Sequence, residues 1–233
     1  TFTGFTTVIG WTKRSNTDVY VKYISTTASP QILTVNGVQY AMGRTPNANR
    51  YSPAYADYYH IDAVTGDSIF TDSECNSATT NWTGAEVVIR SSNYWDWTRR
   101  TIVSHSGTTI DIGATTGNTN AAGFGYFIQN DLRTLDQFGE WYFNGSTDTL
   151  YFYGNPAGYT VKISTVDKLV DVNTRDYITV KNIKFEGANN AAVATNTGGA
   201  LAYNLTVENC NFDFNYNAVY SHWSPNLTVT NCN

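Results

Sequence analysis

The chain is 233 residues long, room for one large β domain or two smaller ones and for a sizeable buried core. Its 14 Lys and Arg against 19 Asp and Glu give a formal net charge of −5 with no basic cluster, which argues against a nucleic-acid partner. Only 14% of residues are charged but 15% are aromatic, enough apolar area to exclude disorder, and no apolar run approaches the ~20 residues of a membrane span.

In chain order, residues 1–165 are non-repetitive and strongly β in character. A strand is predicted over 19–24. Gln31-Ile32-Leu33-Thr34-Val35, Asn36-Gly37 and Val38-Gln39-Tyr40-Ala41 read as a hairpin closed by a two-residue Asn-Gly turn. Residues 47–58 and 76–83 read as loops, and 86–91, 101–105 and 108–112 as strands. Between them, Tyr94-Trp95-Asp96-Trp97 sets two indoles around one carboxylate. Indole faces stack on the apolar face of pyranose rings, so Trp95 and Trp97 are candidate carbohydrate-binding residues. In a strand the two would share one face, and that face also suits a core.

One short helix is predicted, Asn130-Asp131-Leu132-Arg133-Thr134-Leu135, capped by Asn130 or Asp131. Asp136 and Glu140 resemble an acid pair, but they flank a turn, and capping and turn bonding account for them. A second hairpin follows: Glu140-Trp141-Tyr142-Phe143, a turn at Asn144-Gly145-Ser146-Thr147-Asp148, and Thr149-Leu150-Tyr151-Phe152-Tyr153. After a strand at 160–163, residues 168–173 open a different pattern, so the division falls into a front β-rich module over 1–165 and coils over 166–233.

The pattern is a repeat. Ile178-Thr179-Val180-Lys181-Asn182, Leu205-Thr206-Val207-Glu208-Asn209 and Leu227-Thr228-Val229-Thr230-Asn231 recur at intervals of 27 and 22 residues, the length of one solenoid coil. Aligned, they give apolar columns: Ile178 with Leu205 and Leu227, Val180 with Val207 and Val229, Ile183 with Cys210 and Cys232, Phe185 with Phe212. Thr179, Thr206 and Thr228 alternate with them as an outward column. The apolar period is two and β-branched residues dominate, which excludes a helix. Stacked ~4.8 Å apart, such coils bury like residues over like, as in a parallel β-helix. Asn182, Asn209 and Asn231 stand where the alternation slips by one, so they are read as corners in left-handed conformation with an amide ladder. Lys181 above Glu208 predicts an outward ion pair. Ala192-Val193 and Ala218-Val219-Tyr220 mark another common face.

Cys75, Cys210 and Cys232 form neither a disulfide framework nor a metal motif. Cys210 and Cys232 are expected as stacked core thiols, with a disulfide between them as the alternative. The first residue is not Met, no signal peptide is present, and the last residues fall midway through a coil with no cap. The chain is therefore expected to be the front part of a longer protein. Asn-x-Thr/Ser sequons at Asn81, Asn144, Asn204 and Asn226 would be glycosylation acceptors in a eukaryote, although the last two also suit coil turns.

Several phrases, in this order, resemble a known group. Leu33-Thr34-Val35-Asn36-Gly37 with Arg44-Thr45-Pro46-Asn47, then Gly125-Tyr126-Phe127-Ile128-Gln129-Asn130, Leu135-Asp136, Gly139-Glu140-Trp141-Tyr142-Phe143 and Thr149-Leu150-Tyr151-Phe152-Tyr153, are similar to bacterial right-handed parallel β-helix repeat proteins. The likeness is to the glycoside-hydrolase branch of the pectate-lyase-like superfamily. It implies a front β-rich module packed on the first coils, a secreted or cell-surface location and a carbohydrate ligand. Gln129 stands where the resemblance leads one to expect an acidic residue, and the resemblance assigns no catalytic residue in this segment.

Cleaving a polysaccharide requires two carboxylates about the glycosidic bond, or a base beside a neutralising cation. The outward candidates are Asp171, Lys181, Lys184, Glu186, Glu208, Asp213 and His222. Glu186 and Asp213 should stack in one column, where one carboxyl would be raised or the pair would bind Ca2+, the one cofactor the pattern admits. The plainer reading of these groups is a solvated face. His222-Trp223 follows the strand at 218–220 and would suit sugar stacking with proton transfer. His60 and His105 show no partner in the sequence.

The expected fold is therefore all-β, a right-handed parallel β-helix with an N-terminal β-rich module. The expected function is an extracellular carbohydrate-active protein, glycosidase or lyase, with a polysaccharide or glycan as partner. The alternative is a non-enzymatic bacterial surface adhesin or a structural cargo of a secretion system, engaging secretion or surface-anchoring machinery.

Overall fold

The computed structural model describes residues 1–26, 28–48, 57–90, 97–113, 120–195, 201–222 and 224–233. It is all-β, with a single 3-10 turn, Leu132–Thr134, among the described residues. None of the described helices is long and apolar enough to cross a membrane. The chain forms two compact units, Thr1–Ala41 with Phe143–Asn233, and Met42–Tyr142.

The first unit contains three three-stranded parallel sheets. Thr179–Lys181, Thr206–Glu208 and Thr228–Thr230 form one, Val166–Asn173, Ala188–Thr195 and Asn217–Tyr220 a second, and Phe2–Thr3, Lys184–Glu186 and Asn211–Asp213 a third. The register is like over like: Val180 pairs with Val207 and Val207 with Val229, while Thr179, Thr206 and Thr228 stand in line. Alternation sends the threonines outward and buries Val180 and Val207 with Leu205 and Cys210. Phe185 and Phe212 stack at 5.3 Å with an interplanar angle of 11°, and Phe2 meets Phe185 edge-on at 5.6 Å. Such ring pairs add ~0.5–1.5 kcal/mol each beyond the area they bury.

Left-handed residues turn the chain between these strands. Asn182, Asn209 and Asn231 have φ of 59°, 54° and 52°, as the slip in alternation predicts, and Asn204 and Asn226 share that conformation. At this other corner the amide of Asn226 donates from Nδ2 to Oδ1 of Asn204 at 3.0 Å. The predicted ion pair is present, Lys181 Nζ lying 3.7 Å from Glu208 Oε1, but it is open to water and contributes at most ~1 kcal/mol. Cys75, Cys210 and Cys232 are free thiols, and Cys210 and Cys232 both belong to the core of the parallel sheets.

Two antiparallel sheets follow, the first wholly within this unit and the second including Trp141–Asn144, of which Trp141 and Tyr142 belong to the second unit. One runs Phe5–Thr7, Val161–Ser164, Leu33–Val35, Val38–Tyr40, the other Trp141–Asn144, Thr149–Tyr153, Val19–Tyr23, Thr12–Lys13. The Asn36-Gly37 turn has positive φ at both residues, 50° and 78°, the requirement of a I′ hairpin. Asn189 ties a parallel strand to the first of these sheets: its Oδ1 accepts from Gln31 N–H at 2.9 Å and from the Ser164 hydroxyl.

The second unit is antiparallel. Trp97–Thr101, Glu86–Arg90, Gly125–Gln129 and Arg44–Thr45 form one sheet, in which Tyr59–His60 also pairs with Gly125–Gln129. Ser104–Ser106, Thr109–Asp111, Ile69–Thr71 and Ala63–Thr65 form the other. Phe70, Ile110, Val87, Ile89, Tyr126 and Ile128 are buried together. The strand predicted over 101–105 is two strands. Ile102 N–H bonds Ala85 and Val103 N–H bonds Asp111, so successive residues are captured by different partners. The predicted helix shrinks to one turn, capped by Asp131, whose Oδ1 accepts from Arg133 N–H at 2.9 Å, because Leu135 has already turned extended. Most of the loop read at 47–58 lies outside the described residues.

Gly187 tests how tightly the parallel strands close. Its φ is +81°, and a Cβ there would meet the Phe5 ring at 2.7 Å. Gly187→Ala is expected to cost about 2–4 kcal/mol, combining left-handed strain with overpacking, whereas exposed Lys181→Ala costs at most about 1 kcal/mol. Urea unfolding midpoints of the two variants measure this; equal midpoints would show that the corner is slack.

Candidate functional site

Glu186 and Asp213 are brought together as the column predicts, directly paired across parallel strands with Thr3 beyond Glu186. They do not stand alone. Lys184 Nζ lies 2.8 Å from Asp213 Oδ2 and 3.7 Å from Glu186 Oε2, and Lys162 Nζ lies 4.0 Å from Glu186 Oε1. The hydrogen bond to Asp213, then the charges of both acids, push the Lys184 ammonium above its ordinary value. One ammonium between two carboxylates gives an ion-paired lattice, with both acids acting as acceptors. Among the described residues, no three His, Cys, Asp or Glu side chains gather as a metal cluster.

His222 is exposed at the end of the Asn217–Tyr220 strand. Its N–H donates to Thr195 Oγ1 at 3.1 Å, so its backbone is tied to the neighbouring strand. It lies apart in sequence and sheet from the Glu186 column. Trp223 and Trp95 lie outside the described residues.

Trp97 opens an antiparallel strand and is 46% exposed, so the face it occupies is outward and not core. Its ring lies 6.1 Å from Tyr58 and 6.3 Å from Phe127. Arg44 covers Phe127 at 3.9 Å and Tyr58 at 4.9 Å, and Arg90 stands 5.8 Å from the Trp97 ring. Arg44 is fixed by donating from Nε to Pro46 O at 2.8 Å and from Nη2 to Asp57 O. The result is a cluster of aromatic rings with guanidinium groups packed against them beside an antiparallel sheet. Rings so fixed can stack against apolar sugar faces without first being ordered.

A second polar cluster, inside the second unit, has no signal in the sequence. Asp72 is fully buried, and its carboxylate accepts from the Tyr126 hydroxyl at 2.7 Å and from Glu74 N–H at 2.7 Å. Burial raises the Asp72 carboxyl and raises the Tyr126 phenol far above its ordinary value; it pushes the Cys75 thiol up to about 11. His105 Nδ1 accepts from Trp82 N–H at 3.2 Å, which leaves Nε2 to donate to Cys75 O at 3.1 Å. Both ring nitrogens of His105 are thus taken up by backbone groups of Trp82 and Cys75, so its role is architectural. His60 Nδ1 lies 3.9 Å from Glu74 Oε2. Glu140 Oε2 accepts from the N–H groups of Asp136 and Gln137 at 2.8 and 2.9 Å, the turn bonding predicted. Gln129 Nε2 donates to Glu86 Oε1 at 2.5 Å across the paired strands.

The buried Asp72 carboxyl predicts a pH dependence. Its folded value is raised from 3.8, so the folded state holds the proton more tightly than the unfolded chain. Its contribution to stability is therefore greatest in acid and falls as pH rises from 3.8 through the raised folded value. The unfolding free energy of the wild type relative to Asp72→Asn should decline with pH across that window and then level off. Urea titrations from about pH 3.5 to 7 measure it, and a constant difference would show that Asp72 does not titrate between the two states.

No family model matches this chain, and no curated protein matches it. A solved structure titled a glycoside hydrolase is similar to it, with a TM-score of 0.68 and 16% sequence identity, over 91% of this chain and 48% of that one. This chain thus spans about half the length of that protein, and the likeness is one of fold.

Proposed function

We propose that this is an extracellular carbohydrate-active protein, secreted or held at a cell surface, of the glycoside hydrolase or polysaccharide lyase type. In this reading residues 166–233 are coils of a right-handed parallel β-helix, and residues 1–165 are its front β-rich module. The in-register parallel pairing of the three repeats supports the coils. The solved glycoside hydrolase of similar fold supports the carbohydrate class. The single observation that carries the ligand is the exposed Trp97 ring, fixed with Tyr58 and Phe127 on an outward sheet face. Because Lys184 already occupies the Glu186–Asp213 pair, this reading assigns bond cleavage to groups on further coils and glycan holding to the described residues.

A specific feature favours a second reading, a bacterial surface adhesin or a structural cargo of a secretion system. Thr179, Thr206 and Thr228 stack outward in register, a neutral hydroxyl column that offers reach and hydrogen bonds but no acid or base. Full-length protein incubated with neutral and acidic glycans should release reducing ends or unsaturated products. Retained surface attachment with no release from any glycan would decide for the adhesin. Trp97→Ala is expected to weaken glycan binding by up to about tenfold, by calorimetry or pull-down, with the fold unchanged. Unaltered affinity would remove Trp97 from the site.

A further inference from the structure

In-register stacking sets two thiols one above the other inside the first unit. Val207 pairs with Val229 and Glu208 with Thr230, and past the corner Asn233 N–H donates to Cys210 O at 3.0 Å. Cys232 therefore continues the position of Cys210 in the next repeat. The two side chains are also oriented alike. Each Sγ lies 3.3 Å from the carbonyl oxygen two residues before it, Glu208 O for Cys210 and Thr230 O for Cys232. Each also reaches a carbonyl of the preceding repeat, Val180 O at 3.7 Å for Cys210 and Val207 O at 3.8 Å for Cys232. Equal surroundings mean equal rotamers, so the sulfurs are separated by the strand spacing, ~4.8 Å. That separation decides what the pair can do. A disulfide needs Cβ atoms about 3.8 Å apart and sulfurs about 2 Å apart, which in-register strands do not provide. A thiolate bond to a d10 metal ion is about 2.3 Å, so two in line span ~4.6 Å, close to the strand spacing.

From this juxtaposition we propose that Cys210 and Cys232 form a binding site for one two-coordinate soft metal ion, mercury(II), held in line between the sulfurs of adjacent repeats. Binding exchanges two S–H bonds for two S–Hg bonds and releases both protons to water, with no electron transferred. Charge selects the ion. Two thiolates balance one divalent cation, so the complex is neutral in a core that includes Val180, Phe185, Leu205 and Val207. A monovalent ion would leave a negative charge buried there. Zinc is divalent as well, but it takes four ligands, and among the described residues no three His, Cys, Asp or Glu gather together. Entry is from the Cys232 side, because Cys232 is half-buried and Cys210 fully buried. Cys75, the remaining thiol, lies in the second unit with no other cysteine.

The test titrates the chain with mercuric chloride, reading the ultraviolet absorption of the mercury–thiolate bond and the mass of the native complex. One ion per chain should bind, with two protons released. Cys210→Ser and Cys232→Ser should each weaken binding by roughly a hundredfold or more, since a single thiolate leaves the ion half-coordinated. If Cys210→Ser fails to fold, Cys232→Ser, at the half-buried position, carries the test. Cys75→Ser should leave binding unchanged, and zinc should bind far more weakly than mercury. Diamide, a thiol oxidant, should leave Cys210 and Cys232 unjoined in the folded chain, as read by peptide mass. Mercury uptake that is absent, that survives loss of either thiol, or that needs Cys75 overturns the site. Zinc binding as tight as mercury overturns its two-coordinate geometry, and a Cys210–Cys232 disulfide formed by diamide overturns the separation on which it rests.

Discussion

The constraint on which this structure depends is the in-register stacking of parallel strands. When Val180 lies over Val207 and Phe185 over Phe212, every inward position must be filled by a side chain that packs on its own kind. Branched aliphatics and rings do so, which is why the interior columns are valine, leucine, cysteine and phenylalanine. The register survives only if each strand ends at the same place in successive repeats. Asparagine supplies that stop, because it adopts φ near +55° at modest cost and leaves the next residue facing inward again. Corner and column are one device: a corner displaced by one residue would turn each apolar column out to water.

Stacking imposes an opposite demand on the outward side. Like charges directly above one another repel, so a column such as Glu186 over Asp213 persists because Lys184 and Lys162 stand beside it. Elsewhere the outward columns are neutral, as with Thr179, Thr206 and Thr228, or opposite in charge, as with Lys181 and Glu208. Hydroxyls and compensated ions keep the strands soluble without opposing their register.

The repeats are legible in the sequence because their signal is redundant. Three copies with alternating apolar residues and an asparagine in the same place leave few arrangements, and the pairing of Thr179, Thr206 and Thr228 follows the alignment residue for residue. The two hairpins are legible through turn chemistry, Asn36-Gly37 above all. What escapes is the non-repetitive unit and the start of the chain. Strands such as Phe2–Thr3, Arg44–Thr45 and Tyr59–His60 are two residues long, too short to show a period, and are defined by partners distant in sequence. The same limit hides the Asp72–Tyr126–His105 cluster. Its members lie far apart along the chain, and Cys75, in a stretch that reads as a polar loop, is 2% exposed. Of the candidate site, Trp97 is legible as a candidate for sugar stacking, but its residue pattern leaves open whether that face is core. The guanidinium groups beside it become visible only once the strands of residues 86–90 and 97–101 are set in register.

That contrast bears on where recognition chemistry can reside. A site that binds a chemically mixed ligand needs unlike groups side by side, an apolar ring next to a cation next to a hydrogen-bond donor. In-register parallel stacking places like residues next to like, so each outward column is chemically monotonous or must be neutralised from alongside. Antiparallel strands from distant parts of the chain carry no such restriction. Arg90 opposes Trp97 and Val88 opposes Phe127 because the paired sequences are unrelated. The repetitive part of the chain is thus suited to length and rigidity, and the non-repetitive part to discrimination. The exposed Trp97, with Tyr58, Phe127 and Arg90 beside it, belongs to the second, and the threonine column to the first.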